Sequence, residues 1–250
     1  MLQFIQTSEG ILKQYIDEFF SRKLIYNNYY GIDLKNSDFF LTKGTLIIRK
    51  RFEGFFRVYI LSDNKDSLTD NLREIGGGYV INIPSKGDVT LWEAILSQSN
   101  FRKIAVYLRM YKKTFERRGE FIECYALESD IEQIRYILYK VFSPITGWLP
   151  GDMELMQMIL NKQVFVDRDE KGISSVLIFT IKNRKIEFRA WASLRGQGLF
   201  LFYNAFNLMT ELGIGHAYLW TNENNHKAKR IYELLGFERD GLKDHIFLKD

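Results

Sequence analysis

Cysteine and histidine are scarce in this chain, with one cysteine and three histidines among 250 residues. A single cysteine, Cys124, excludes an internal disulfide and any cysteine-based metal site, and its alternating apolar surroundings are typical of a small core residue. His216, His226 and His245 show no metal-ligand spacing with a carboxylate, so we expect no bound metal. No apolar run approaches the ~20 residues that a membrane span needs, and no charged-then-apolar leader opens the sequence. We therefore expect a cytoplasmic protein with no membrane partner.

An excess of one charge is also missing, since 35 basic residues stand against 31 acidic ones. The densest basic run, Arg49–Arg51, is typical of a solvated strand end, and we expect no nucleic-acid partner. The chain is instead rich in hydrophobic residues (46%) and aromatic residues (15%). This composition indicates a globular protein with an ample core, of a length that allows one large domain or two ordinary ones.

Hydrophobic periodicity and turn residues predict two halves with a similar order of helices and strands. The polar stretch Lys112–Glu120 is the best boundary, which predicts domains at residues 1–115 and 116–250. We expect the second half to begin with a strand at Phe121–Leu127 and to end with a strand at His245–Leu248. No residue-level repeat is visible, so the duplication is a hypothesis that rests on element order.

The hexapeptide Arg195-Gly196-Gln197-Gly198-Leu199-Phe200 lies between a predicted strand and a predicted helix. A helix N-terminus offers unpaired N–H groups, glycines let the backbone approach an anion, and an arginine adds charge. Together these features form an anion cradle, although a glycine pair alone is about as often a structural turn. The sequence lacks the Gly-Lys-Ser/Thr ending of a P-loop and the three-glycine dinucleotide fingerprint.

A second motif follows about thirty residues later, at Asn225–Phe237. It resembles the Asn-x-x-Ala-x-x-x-Tyr-x-x-x-Gly-Phe signature of the GNAT (GCN5-related N-acetyltransferase) superfamily, and the glycine turn resembles the same family's Arg/Gln-x-x-Gly-x-Gly/Ala loop. The resemblance covers about Lys185–Phe237. It implies the α/β (α+β) GNAT acyl-CoA N-acyltransferase fold, with a mixed central sheet flanked by helices. Tandem domains with a degenerate N-terminal half are expected. One departure is Phe200, because the family has a small residue there; the phenyl ring either crowds the helix entrance or points into the core.

The resemblance implies acetyl-CoA as the acyl donor and the amine of a small molecule or peptide as the acceptor. Backbone N–H groups of Gln197–Phe200 would hold the pyrophosphate, and the end of the strand Lys185–Ala192 would pair with the pantetheine arm. The implied cofactor-binding residues are Ala190, Trp191, Ala192, Arg195, Gly196, Gln197, Gly198, Leu199, Phe200, Asn225 and Tyr232.

Two residues are candidates for the chemistry of acyl transfer. Tyr232 matches the family tyrosine that protonates the departing thiolate, and its alternative is a core aromatic on an apolar helix face. Glu187 is the candidate general base, and its alternative is an exposed or ion-paired glutamate. Strict alternation places Glu187, Arg189 and Trp191 on one face of their strand. Asn225 either bonds the cofactor arm or caps the final helix.

The first half lacks this chemistry, since its equivalent loop, Ser62–Asp66, has no glycine and carries two aspartates that would repel pyrophosphate. We expect one active site, in the second half, with Ser143–Gly151 as the acceptor-binding segment and direct attack by the amine.

An aminoacyl transferase that uses charged tRNA is disfavoured by the intact glycine loop. A non-catalytic CoA-sensing or protein-interaction module remains the alternative. The oligomeric state, monomer or homodimer, stays open.

Overall fold

The computed structural model describes residues 2–196 and 198–250 and divides into two compact units. Unit 1 contains the chain up to Tyr107 together with Gly241–Asp250, and unit 2 is Leu108–Asp240. The closing strand, Glu238–Lys249, is longer than the predicted strand His245–Leu248. The prediction missed its first half because those residues are polar and lack the apolar alternation that marks a strand. The last residues of the strand belong to unit 1. The roles predicted for residues 1–115 and 116–250 remain predictions. No helix in the described part of the chain is long and apolar enough to cross a membrane.

Unit 1 is an antiparallel sheet that becomes parallel at one pairing. Its elements in chain order are β1 (Ile5–Gln6), α1 (Glu9–Phe20), β2 (Tyr26–Asn27), β3 (Ser37–Leu41), β4 (Thr45–Phe52), β5 (Phe55–Ser62), α2 (Lys65–Glu74), β6 (Tyr79–Ser85), α3 (Thr90–Gln98), and parts of β7 (Arg102–Lys112) and β12 (Glu238–Lys249). The strand order is β1-β3-β4-β5-β6-β12; among the described residues of this unit, β5 and β6 pair in parallel and the other pairings along this order are antiparallel. Ser8 is the N-cap of α1, since its hydroxyl accepts the backbone N–H of Ile11.

Unit 2 has the same succession of pairings. After the end of β7, its elements are a 3₁₀ turn (Glu128–Asp130), α4 (Ile131–Val141), α5 (Asp152–Leu160), β8 (Val164–Asp169), β9 (Gly172–Lys182), β10 (Lys185–Ser193), α6 (Leu199–Glu211), β11 (His216–Asn222) and α7 (His226–Leu234). The strand order is β7-β11-β10-β9-β8, with antiparallel pairing from β8 to β10 and parallel pairing of β10 with β11. In both units two antiparallel pairings lead through a helix to a parallel strand.

Helices cover both faces of the sheet in unit 2. On one face, α6 and α7 pack against apolar side chains that include Phe188 and Leu219. On the other face, α4 and α5 pack against a second cluster that includes Val176 and Ile178. Because β9 and β10 contribute to both clusters, they are the rigid centre on which the candidate site is built.

The predicted strand at Phe121–Leu127 is wrong in most of its length. The segment is extended but makes only an isolated antiparallel bridge, between Tyr125 and Phe165, and is not a regular strand. Backbone bonds around this bridge join it to β8, from Ala126 N–H to the Val164 carbonyl at 2.9 Å. Upstream of the bridge, side chains satisfy the backbone polar groups, which removes the need for a partner strand.

Two buried asparagines on α6 supply those side chains. The amide of Asn204 accepts the Ile122 N–H at 2.8 Å and donates to the Ile122 carbonyl at 2.6 Å. One turn away, Asn207 accepts the Arg118 N–H at 2.9 Å and donates to the Glu120 carbonyl at 3.1 Å. The two amides thus hold residues 118–122 against the helix as a partner strand would.

We predict that Asn204→Ala lowers the free energy of unfolding by about 1–3 kcal/mol, because the Ile122 backbone groups lose their partners in a partly buried position. Amide hydrogen exchange in residues 118–124 should accelerate. Chemical denaturation measures the first effect and mass-spectrometric exchange the second. Asn224→Ala, at an exposed asparagine, is the control and should change neither; equal behaviour of the two variants would contradict the assignment.

Candidate functional site

The parallel pair β10–β11 separates partway along its length. The two strands are in register from Lys185 opposite His216 to Phe188 opposite Leu219. Beyond that point β10 continues to Ser193 in register with β9 on its other side. In the described part of the chain no strand pairs with the β11-facing edge of residues 190–193. The gap between the separating strands is therefore lined by backbone groups that can pair with an extended ligand.

A β-bulge lies where the separation starts. The register of β10 against β9 shifts between Phe188 and Ala190, so Arg189 is an extra residue. Strict alternation is consequently wrong beyond this point. Trp191 packs on the α6–α7 face, whereas Ala190 belongs to the cluster on the α4–α5 face. Glu187 precedes the bulge and, by alternation with Phe188, faces α4 and α5.

Tyr232, the predicted proton donor, lies on the α6–α7 face beside the gap. Its ring packs against Trp191 and Phe202, at centroid distances of 6.0 and 5.9 Å. Burial raises the pKa of the Tyr232 phenol above its ordinary value, so the hydroxyl is neutral and holds its proton at physiological pH. Burial alone causes this rise in pKa, and the ring itself is a core residue. The core and catalytic interpretations are thus compatible.

Glu187, the predicted base, is half-buried on the opposite face of the sheet. Burial raises the pKa of its carboxyl group above the usual range, and this rise is opposed by the positive charge of Arg189 and by the neighbouring phenol of Tyr218, which lies opposite Glu187 in the strand register. Burial raises the pKa of Tyr218 to about 12, so this phenol keeps its proton at physiological pH. A carboxylate with a raised pKa is a stronger base than an exposed glutamate.

Arg189 connects the bulge to the predicted acceptor-binding segment. Its guanidinium forms an ion pair with Glu154 on α5 and donates to the Trp148 carbonyl at 3.2 Å. Trp148 lies within Ser143–Gly151 and has a positive φ of 50°. One side chain therefore fixes the position of this loop relative to the strand that carries Glu187.

The glycine loop is shaped by close packing. Gly196 has a φ of +78°, which favours glycine, and Gln197 lies outside the described residues. A Cβ on Gly198 would lie 2.6 Å from Nε1 of Trp191, which itself donates to the Gly198 carbonyl at 3.2 Å. Gly198 is therefore needed for the fit between loop and strand, whatever it does for a ligand.

Charged and apolar side chains around this loop are arranged differently from a simple anion cradle. Arg195 pairs with Asp169 through both carboxylate oxygens and also donates to the Ile173 carbonyl at 3.3 Å. Phe200 is 39% exposed and Leu199 is 38% exposed at the start of α6. The alternative in which Phe200 points into the core is therefore excluded.

The start of α7 shows the capping role of Asn225. Its side chain accepts the Ala228 N–H at 3.0 Å, as an N-cap does. A cofactor contact remains a prediction. At the other end, Gly236 has a φ of +82° and lets Phe237 N–H return to the Tyr232 carbonyl at 2.9 Å. The motif thus places Tyr232 by fixing both ends of a short helix.

In unit 1 the corresponding gap is closed by the chain itself. The parallel pair β5–β6 ends at Val58, and β2 then pairs with the rest of β5. The buried Asn28 donates to the Val58 carbonyl at 3.1 Å and the Asn82 carbonyl at 2.9 Å, and accepts the Ile60 N–H at 2.6 Å. One side-chain amide therefore bridges both separated strands.

Asn28, Tyr218 and the bulge at Arg189 were not predicted to matter, because no motif marks them. Only the structure shows which strands neighbour each other and therefore which side chains meet. Cys124, by contrast, behaves as predicted for a core residue, since burial raises the pKa of its thiol to about 11. A neutral thiol is a poor nucleophile.

A glycine loop leads into helix α6 beside two parallel strands that separate. This arrangement is typical of the GNAT class of fold. No protein-family model matches the chain, and no curated protein matches it by sequence. Solved structures do match. A GCN5-related N-acetyltransferase from Sphaerobacter thermophilus has a TM-score of 0.60 at 11% identity, covering 97% of this chain and 85% of that one.

Two further structures cover nearly the whole of both chains. A GNAT-family acetyltransferase from Colwellia psychrerythraea has a TM-score of 0.58 at 12% identity, covering 100% of this chain and 99% of that one. A tandem GNAT protein from the clavulanic acid biosynthesis pathway has a TM-score of 0.56 at 8% identity, covering 99% and 98%. The predicted resemblance and fold class are confirmed: the chain has a GNAT fold.

We predict that Gly198→Ala lowers the free energy of unfolding by about 1–3 kcal/mol, because the new methyl group overlaps the indole of Trp191. Trp191→Leu removes the overlapping atoms, so the alanine should cost clearly less in the double variant. Denaturation of the four proteins measures this coupling. Strictly additive effects would contradict the packing explanation.

Proposed function

We propose that the protein is an N-acyltransferase that transfers an acetyl group from acetyl-CoA to the amine of a small molecule or peptide. The observation that carries the proposal is the gap between β10 and β11, which has the candidate base Glu187 on one face of the sheet and the candidate acid Tyr232 on the other. A thioester in this gap would be reached by the acceptor from the α4–α5 face. Its sulfur would lie toward the α6–α7 face.

The donor would bind along the open edge of β10. Amide groups of the pantetheine arm would pair with the backbone of Ala190, Trp191 and Ala192, as a strand added to an edge does. The pyrophosphate would lie against the loop from Arg195 to Gly198 and the first N–H groups of α6, at Leu199 and Phe200. Asn225 would then contact the arm while it caps α7.

The chemistry divides into one attack and two proton transfers. Glu187 takes a proton from the acceptor amine, whose nitrogen forms a bond to the thioester carbonyl carbon. The carbon–sulfur bond then breaks, the electron pair leaves with sulfur, and Tyr232 donates its proton to the thiolate. The products are an amide and free CoA. The half-buried neutral thiol of Cys124 supports direct attack rather than an acyl-cysteine intermediate.

One donor site per chain is supported by the closed gap in unit 1. There the amide of Asn28 already makes the hydrogen bonds that a ligand amide would make, and it is only 3% exposed. Asn64 caps α2 through its own side chain, and Asp66 adds negative charge in the first turn of that helix. These features all disfavour an anionic ligand in unit 1.

A second candidate function is a non-catalytic CoA sensor. A non-catalytic protein-interaction module is the other form of this alternative, and the exposed apolar side chains of Leu199 and Phe200 at the start of α6 favour it. A sensor would bind acetyl-CoA without turning it over. Free thiol release in the presence of a broad amine panel separates the two candidates.

We predict that acetyl-CoA at ~100 times its dissociation constant stabilises the protein by about 2.7 kcal/mol, seen as a raised melting temperature. Isothermal titration calorimetry should give one molecule bound per chain, because unit 1 is closed. A stoichiometry of two would contradict the single-site proposal. No stabilisation at any concentration would contradict donor binding in both candidate functions.

We predict that Tyr232→Phe lowers kcat by about 10²-fold or more, while the Kd of acetyl-CoA stays unchanged, because the phenylalanine keeps the ring packing and loses only the hydroxyl that donates the proton. Steady-state kinetics and calorimetry measure the two quantities. Tyr203→Phe, in the same hydrophobic cluster, is the control and should leave kcat unchanged. Full turnover by Tyr232→Phe would remove this residue from the mechanism.

A further inference from the structure

The glycine loop between β10 and α6 is tied to the hairpin formed by β8 and β9. The Leu194 N–H donates to the Ser174 carbonyl at 2.9 Å, which prolongs the pairing of β10 with β9. Ser193 is in register with Ser175, and its hydroxyl accepts from the Ser175 hydroxyl at 2.9 Å and from the Gly196 N–H at 3.1 Å. The first residues of the loop therefore have a fixed starting point on the sheet.

The side chain of Arg195 adds a second attachment to the same hairpin. Its guanidinium donates to both carboxylate oxygens of Asp169, the last residue of β8. It also donates to the carbonyls of Gly172 and Ile173, at 3.4 and 3.3 Å, where β9 begins. Within the described residues, every hydrogen bond of this guanidinium ends on the β8–β9 hairpin. The cation is therefore committed to the protein itself.

Asp169 is held in turn by the hairpin that it closes. Its carboxylate accepts the Lys171 N–H at 2.8 Å. This hydrogen bond and the Arg195 guanidinium hold the pKa of the Asp169 carboxyl below its usual range, so the two side chains form an ion pair at neutral pH. The side chains of Arg195 and Asp169 are 33% and 34% exposed. A bidentate pair that is partly shielded from water is stronger than a single exposed contact.

These contacts leave little free charge for an anion at the start of α6. The positive charge of Arg195 is balanced by Asp169, and the first four residues of the helix, Leu199–Phe202, are uncharged. A pyrophosphate would accordingly depend on backbone N–H groups, which converge on an anion only when the loop has the right shape. The shape of the loop thus matters more here than the charge of its side chains.

We propose that Arg195 and Asp169 are positioning residues for donor binding: their ion pair fastens the glycine loop to the β8–β9 hairpin, and the guanidinium itself does not bind the phosphates. The inference rests on the proposed function for the identity of the ligand and on the ion pair for the position of the loop. Without the pair, the loop would adopt the binding shape for a smaller fraction of the time, and the apparent Kd rises by the inverse of that fraction.

The alternative, in which Arg195 binds the phosphates directly, predicts the opposite effect at Asp169. Removing the Asp169 charge would then free the guanidinium for the ligand, and an anion would bind as well as before or more tightly. In the positioning role the same change weakens binding. The sign of the change in Kd at one carboxylate therefore separates the two roles.

The test is isothermal titration calorimetry of acetyl-CoA with Asp169→Asn, Arg195→Met and the double variant. Asparagine can still accept the Lys171 N–H, so the hairpin turn is kept. Each single change should raise the Kd by about 5-fold, the size expected for a partly exposed ion pair. The double variant should bind no more weakly than Arg195→Met alone, because both changes break the same contact. Asp169→Glu, which retains the carboxylate, should recover most of the affinity. Without ligand, hydrogen exchange at residues 193–196 should accelerate in both single variants.

Glu170→Gln is the matched control, because it removes the same charge from the neighbouring, exposed position in the hairpin turn. It should neither weaken binding nor accelerate exchange. An unchanged or lower Kd in Asp169→Asn would overturn the proposal, and so would additive losses in the double variant or unaccelerated exchange. Absence of acetyl-CoA binding by the unmodified protein would contradict the proposed function, whereas the exchange rates would still decide whether the ion pair holds the loop.

Discussion

A pair of parallel strands that separates within a folded domain exposes backbone N–H and C=O groups that need partners. Each unit of this chain contains such a pair, and the two units meet the requirement differently. In unit 1 the amide of Asn28 bridges the β5 and β6 carbonyls, and β2 pairs with what remains of β5. In unit 2 the edge of β10 beyond Phe188 is left open. The proposed donor site follows from this single difference.

The bulge at Arg189 determines how the rest of the site is arranged. Glu187 faces α4 and α5 by ordinary alternation, and the extra residue after Phe188 turns Trp191 toward Tyr232 on the other face. The bulged residue, Arg189, also holds the loop at Trp148 through a hydrogen bond to its carbonyl. Bulges often occur beside active sites because they redirect side chains without interrupting the sheet.

Much of the fold could be predicted from the sequence, because it depends on local signals. Ser8 capping α1, the turn at Gly54 and the helix end at Gly236 all involve residues close in sequence. The strand at Phe121–Leu127 was mispredicted, because the partners of this segment are asparagine side chains about eighty residues away. Alternation cannot reveal such partners.

The candidate site was predictable only where a motif marks it. Tyr232 and the Gly196–Gly198 turn belong to contiguous patterns, whereas the neighbours of Glu187 come from separate strands. The pairing of Glu187 with Tyr218 depends on the order β10-β11, and the closure by Asn28 depends on where β2 returns to β5. Sequence spacing carries no trace of either, because both are contacts between segments distant in sequence.

Hydrogen–deuterium exchange with and without acetyl-CoA tests most directly whether the open gap in unit 2 binds the donor. The account predicts slower exchange at residues 190–193 and in the first turn of α6 when acetyl-CoA is present. It predicts no change at residues 25–28 and 58–62 of unit 1, where the chain already fills the gap. Protection confined to unit 1, or equal protection of both units, would contradict it.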